Sequence, residues 1–244
     1  MNEAPAWQAF ERELLPRIAK NFPLEASLMG AEGLAELAAS SAANAARYGF
    51  SLGRHVAQYV QLALALGCGF DCDPLLPWAS IILRSRSAKD ADTKMAALNA
   101  AALAYVEAVA GWNGRRYRAA ILRMRNLGYG HFPALGRDSS KALIAHLRSL
   151  FPEKAAYTAD SLPVFADLAA RSAQRFGLVE GPPFAVYASL LFLLGNGFAD
   201  DPQFAWAGKA LSSKRGAGPE RIARDLVESG QAWIARVLAV SGRG

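Results

Sequence analysis

The chain has 244 residues, 52% of them hydrophobic and 20% charged, and a net charge of +6. This composition excludes a disordered chain, and the length allows one large domain or two ordinary ones with a sizeable core. Only two cysteines, Cys68 and Cys72, and three scattered histidines, His55, His131 and His146, are present. They do not compose a four-ligand zinc site, and a disulfide across so tight a turn would be strained, so both cysteines read as free thiols.

Abundant alanine and few β-branched runs favour helix. The first helix is predicted over residues 7–20, with Phe10, Leu14, Leu15 and Ile18 on its apolar face, and Phe22-Pro23 ends it. A second, over residues 32–48 (Leu34, Leu37, Ala38, Ala45, Tyr48), stops at Gly49. The third carries Val56, Tyr59, Leu62, Ala63 and Leu66 at steps of three and four and stops at Gly67. Phe70 is placed to pack over the helix end just left. Asp73 reads as an N-cap, Pro74 as the first residue of a new helix, and Trp78 lies one turn into it. LGxGFxxDPxxxW is therefore a joint: capped stop, aromatic anchor, capped restart. Asp71 and Asp73 form a DxD that a divalent cation could use, but its counterpart begins with Ala199, so the structural reading is preferred and no metal site is assigned. A fifth helix is expected over residues 92–109.

The stretch Tyr48–Leu83 is written again, 128 residues later and without a gap, as Phe176–Leu211. Gly49, Gly53, Ala57, Tyr59, Leu62, Leu66, Gly67, Gly69, Phe70, Asp73, Pro74, Trp78, Ala79 and Leu83 meet identical residues. The second joint thus has Gly195, Phe198, Asp201, Pro202 and Trp206. Helices are predicted around it over residues 141–150, 162–176 and 219–240, the last with Ile222, Leu226, Ala232, Trp233 and Leu238 inward. No segment alternates with the period of a strand. The expected fold is all-α, a tandem duplication of a four- to five-helix unit arranged as a pseudo-twofold helical array. The expected division is a first repeat over residues 1–112, a basic connecting helix and loop over 113–138, and a second repeat over 139–244.

From Gly111 to Arg148 there are eight positive residues and one negative, Asp138, a net +7, so this stretch carries all the net basicity. NGRRYRAAILRMRNLG reads as a helix with Tyr117, Ala120, Ile121 and Met124 on one face and Arg115, Arg116, Arg118, Arg123 and Arg125 around the rest. Ser139 or Ser140 is expected to cap the next helix. Three readings of the arginines stand: a solvated face, a docking surface for an acidic protein, or a phosphate-binding surface. Few aromatic platforms and no recognised nucleic-acid motif accompany them, which makes nucleic acid the least favoured partner.

No P-loop, HExxH or GxSxG occurs, and no histidine has an evident catalytic partner in sequence. No catalytic residue and no cofactor is assigned; an enzyme with a non-standard site is kept as the alternative. The segment MNEAPAWQAFERELL has acidic residues where a secretory leader carries positive charge, and the apolar run Phe184–Leu194 is shorter than the roughly 20 residues a membrane span needs. A cytoplasmic protein without a membrane span is expected.

The pattern YGF–x8–YVxL–x3–LGxGFDxDPxxxW resembles one found in small helical bacterial proteins encoded beside type VI secretion spike, PAAR-tip and effector genes. The resemblance covers about a third of the chain when both copies are counted, and the second copy departs from FDxDP at Ala199. It implies a non-enzymatic adaptor, chaperone or immunity role, with another bacterial protein as partner. That partner would be a secretion effector or spike component with an acidic surface.

Overall fold

The computed structural model describes residues 3–85, 90–136, 139–212 and 218–241. These form helices α1 (Glu3–Asn21), α2 (Pro23–Arg47), α3 (Gly53–Leu66), α4 (Pro77–Arg84), α5 (Ala91–Ala110) and α6 (Arg115–Asn126). They continue with α7 (Ser140–Leu150), α8 (Pro152–Tyr157), α9 (Leu162–Gln174), α10 (Gly181–Leu194), α11 (Ala205–Ser212) and α12 (Pro219–Ser241). Among the described residues there is no strand; the only β feature is an isolated bridge between Leu135 and Gly181. The protein is all-helical.

Prolines and glycines set most boundaries. Pro23, Pro77, Pro152 and Pro219 each open a helix, where a missing N–H costs nothing. Gly49 and Gly177 take φ of 83° and 72° just past α2 and α9. α2 starts nine residues before its predicted beginning because Pro23 opens a turn of helix that breaks at Gly30, with φ 74° and ψ 177°. α8 likewise fills a stretch for which no helix was expected. α6 starts afresh instead of continuing α5: Gly111, Asn113 and Gly114 all take positive φ, and the two axes differ by 43°. Ser139 precedes α7 without capping it, since its Oγ accepts from Gly136 N at 2.9 Å. Ser140 is the first helical residue.

Helices α3, α4 and α5 begin 128 residues before α10, α11 and α12, and α3 and α4 end at the same offset. Aromatic packing follows. Tyr59 and Phe70 pack tilted with centroids 4.8 Å apart, as Tyr187 and Phe198 do at 5.2 Å; Trp78–Tyr105 and Trp206–Trp233 both stand at 6.3 Å. Burying each such ring is worth about 1.5–3 kcal/mol. α5 packs on α8 and α12 on α2, so the long helix of each region lies against the Phe-Pro helix of the other. The buried apolar side chains form one continuous core from Leu14 to Val237. On α12 the inward face is Ile222, Ala223, Leu226, Val227, Ile234 and Val237, with Trp233 and Leu238 half-buried. Ala232, expected inward, is exposed, because the stripe runs from Val227 through Gly230 to Ile234 and leaves it on the outer side.

Among the described residues no single helix is long and apolar enough to cross a membrane. α5 and α6 together have the length and composition, but they are bent at their break.

Candidate functional site

The two joints meet. Gly67 and Gly195 end α3 and α10 with φ of 95° and 98°, each N–H returning to the carbonyl four residues back, Ala63 and Leu191. The glycines have a second reason to lack side chains. A Cβ on Gly67 would stand 3.1 Å from Leu194 O, and one on Gly195 2.8 Å from Leu66 O. A Cβ on Gly69 would overlap Asn196 O, to which Gly69 donates its own N–H at 3.2 Å.

Both joint aspartates are buried and used reciprocally. Asp73 accepts from Leu75 N at 2.8 Å and, across the junction, from Asn196 N at 3.1 Å. Asp201 accepts from Gln203 N at 2.9 Å and, in the opposite direction, from Cys68 N at 2.8 Å. Burial raises both carboxyls above their ordinary range. For Asp73 the Lys154 ammonium and the backbone donors pull the other way; for Asp201 the donors alone do. Neither aspartate caps an α-helix. Asp73 closes a turn, with Leu76 at the N-cap position of α4; Asp201 leads into a short 3-10 turn, Pro202–Phe204, that runs into α11. Pro74 accordingly sits in the turn rather than in helix, and Trp78 and Trp206 are the second residues of their helices, half-buried against α5 and α12.

The DxD oxygens are already engaged: Asp71 accepts the Tyr48 hydroxyl at 2.9 Å, and the Tyr48 phenol is pushed up to about 12 by burial and by that carboxylate. Both thiols are free, Cys72 exposed and Cys68 half-buried, and burial raises both.

A cavity of about 300 Å³ lies beside this junction. Its wall is mostly apolar and comes from matching positions: Leu66 and Leu194, Val109 and Val237, Tyr105 and Trp233. Glu25 and Lys154, which follow Phe22-Pro23 and Phe151-Pro152 at the same spacing, also line it. Lys154 is 6% exposed; its Nζ donates to Phe192 O at 2.5 Å and lies 5.2 Å from the centre of the Phe192 ring. Among the described residues no carboxylate is within ion-pair distance of it. Burial lowers its ammonium to about 8, against the pull of Asp73. The Trp233 indole N–H is buried with no acceptor.

The five arginines of α6 are all exposed. Arg116 reaches Ala108 O at 2.7 Å and Arg123 reaches Leu150 O at 3.3 Å, each closing an otherwise open helix-end carbonyl. Among the described residues no acidic side chain pairs with any of the five. Tyr117, Ala120, Ile121 and Met124 pack inward, against α5, α7 and α12. Trp112, at the corner before α6, is 78% exposed. Arg137 and Asp138 of the basic stretch lie outside the described residues.

The histidines do not converge. His55 is buried, with Nε2 2.7 Å from Asp92 Oδ1. The same carboxylate accepts two guanidinium nitrogens of Arg54, and these donors, Arg54 first, hold Asp92 down to about 2. His146 Nε2 is 2.9 Å from Ser189 Oγ, and His131 is exposed. His55 does stand beside a carboxylate, but Asp92 is on the surface and the cavity wall includes neither residue. Among the described residues no group of three metal-ligating side chains occurs. Lys154 and Trp112 are the two residues the sequence reading passed over. Lys154 sits on a six-residue helix too short to display a periodic face, and Trp112 reads there only as a helix boundary.

No protein-family model, curated protein or solved structure matches this chain.

Proposed function

We propose that the chain is a tandem duplication of one helical unit, closed on itself through the two joints, and that it serves as a non-enzymatic docking protein for an acidic partner. The reciprocal Asp73–Asn196 and Asp201–Cys68 bonds are what a pseudo-twofold arrangement of two copies would produce. α6 stands outside that repeat.

The docking reading is carried by one observation: an exposed tryptophan beside five exposed arginines that no described acidic side chain neutralises. Tryptophan and arginine are the residue types that most often dominate binding energy at interfaces, and the guanidinium fork suits carboxylates. On the resemblance to proteins of type VI secretion loci, the partner is a secretion effector or spike component, and the role that of an adaptor, chaperone or immunity protein.

Arg115, Arg118 and Arg125 are the arginines to change, because Arg116 and Arg123 also serve main-chain carbonyls. Co-purification with the effector and spike proteins of the source bacterium should be lost in the triple Arg→Glu variant while its far-ultraviolet circular dichroism is unchanged. Capture that survives the triple reversal removes this face from the account.

A further inference from the structure

The cavity at the junction differs from a packing defect in its chemistry. An apolar void normally has no charged group in its wall, whereas here a buried ammonium lacks a carboxylate partner. Lys154 spends one of its three N–H groups on Phe192 O, and Asp73, the nearest opposing charge, has its oxygens on Leu75 N and Asn196 N. Around Lys154 the lining is mostly leucine, valine and aromatic carbon. The other charged lining residue, Glu25, is half-buried, and its carboxylate acts on Tyr117.

We propose that this cavity binds a small apolar carboxylate, whose head group takes the free N–H groups of Lys154 and whose body lies between α5 and α12. The size follows from the volume. An engineered apolar cavity of about 150 Å³ holds benzene, so about 300 Å³ corresponds to roughly twelve non-hydrogen atoms. That is an acid of the size of decanoate. A cation is excluded by Lys154. A neutral molecule of the same length would bury the same apolar area and leave the ammonium unpaired. The site does not depend on the arginine face, and the two readings can fail separately.

Isothermal titration of the full chain with decanoate and with 1-decanol tests this. Decanoate should bind at least about ten-fold more tightly than decanol, as expected for a charge-assisted hydrogen bond in a buried site, although decanol is the more apolar of the two. In Lys154→Met, which keeps an unbranched side chain one atom shorter and without charge, decanoate should fall to the affinity of decanol, and decanol should be unaffected. Equal affinities in the unmodified protein overturn the proposal, as does absence of decanoate binding; that comparison needs no variant. Retained preference for decanoate in Lys154→Met would overturn the role of Lys154.

Discussion

The joint and the cavity beside it draw on matching positions of the same two stretches, yet they differ in kind. At the joint the pairs are identical: Gly67 and Gly195, Gly69 and Gly197, Asp73 and Asp201. In the cavity wall Leu66 and Leu194, and Val109 and Val237, also match, but Tyr105 answers to Trp233, and Glu25 to Lys154. Those positions at the joint are constrained, because backbones approach too closely for a Cβ and each aspartate serves both sides of the junction, whereas Cys68 and Asn196, which contribute backbone N–H groups there, differ. The cavity wall shares Leu66, Gly67, Leu194 and Gly195 with the joint, and its two sides carry different chemistry only away from those residues.

The comparison breaks first at the aspartates. Asp73→Ala and Asp201→Ala each strip two backbone N–H groups of their acceptor, at roughly 1–3 kcal/mol per group, so each should cost about 2–6 kcal/mol in urea unfolding, and the two losses should be alike. A large loss for one and none for the other would mean that the junction is not reciprocal.

Lys154 sharpens the contrast from the cavity side. Its folded-state pKa, about 8, lies below the ordinary 10.5. Between those values the unfolded chain holds a proton that the folded one has released, so Lys154 makes stability rise with pH across that window, and the loss is complete once pH drops below 8. Lys154→Met removes the dependence. Below pH 8 the variant should be the more stable, by on the order of 3 kcal/mol, with the difference vanishing toward pH 10.5. Parallel thermal melts of the two proteins between pH 7 and 10 read this directly.

Alanine at the joint glycines comes next. Both positions have positive φ, so Gly67→Ala and Gly195→Ala should each cost about 1–3 kcal/mol, with Gly195→Ala the worse because its Cβ comes 2.8 Å from Leu66 O. The smallest effect belongs to the arginine face. Arg115→Glu, Arg118→Glu and Arg125→Glu break no described contact and should each change unfolding free energy by no more than about 0.5 kcal/mol. A larger loss would make α6 part of the scaffold rather than a surface.

Most helix positions and the nature of the glycine stops were legible in the sequence, since both follow from local spacing and backbone sterics; α8 and the start of α2 were not. The reciprocal bonds were not. Asp73 and Asn196 are distant in the chain, and Asp73-Pro74 carries the local signature of an N-cap, so periodicity assigned it a helix start. The structure spends one of its oxygens across the junction and begins α4 three residues after Pro74. The inward face of α6 was readable from Ala120, Ile121 and Met124, and so was the exposure of the arginines. Lys154 was hidden because a lysine following Pro-Glu on a one-and-a-half-turn helix looks solvated in any pattern. Only the packing of α5 over α8 and the ring of Phe192 above it make that position interior.

The closed junction is tested most directly by amide hydrogen exchange at Cys68 and Asn196, whose N–H groups donate to Asp201 and Asp73. Both amides should be protected to a similar degree. In Asp201→Asn and Asp73→Asn, chosen to keep the shape, protection should drop first at the amide facing the altered residue. Rapid exchange at either amide in the unmodified protein, or equal loss at both sites in each variant, would contradict the reciprocal joint.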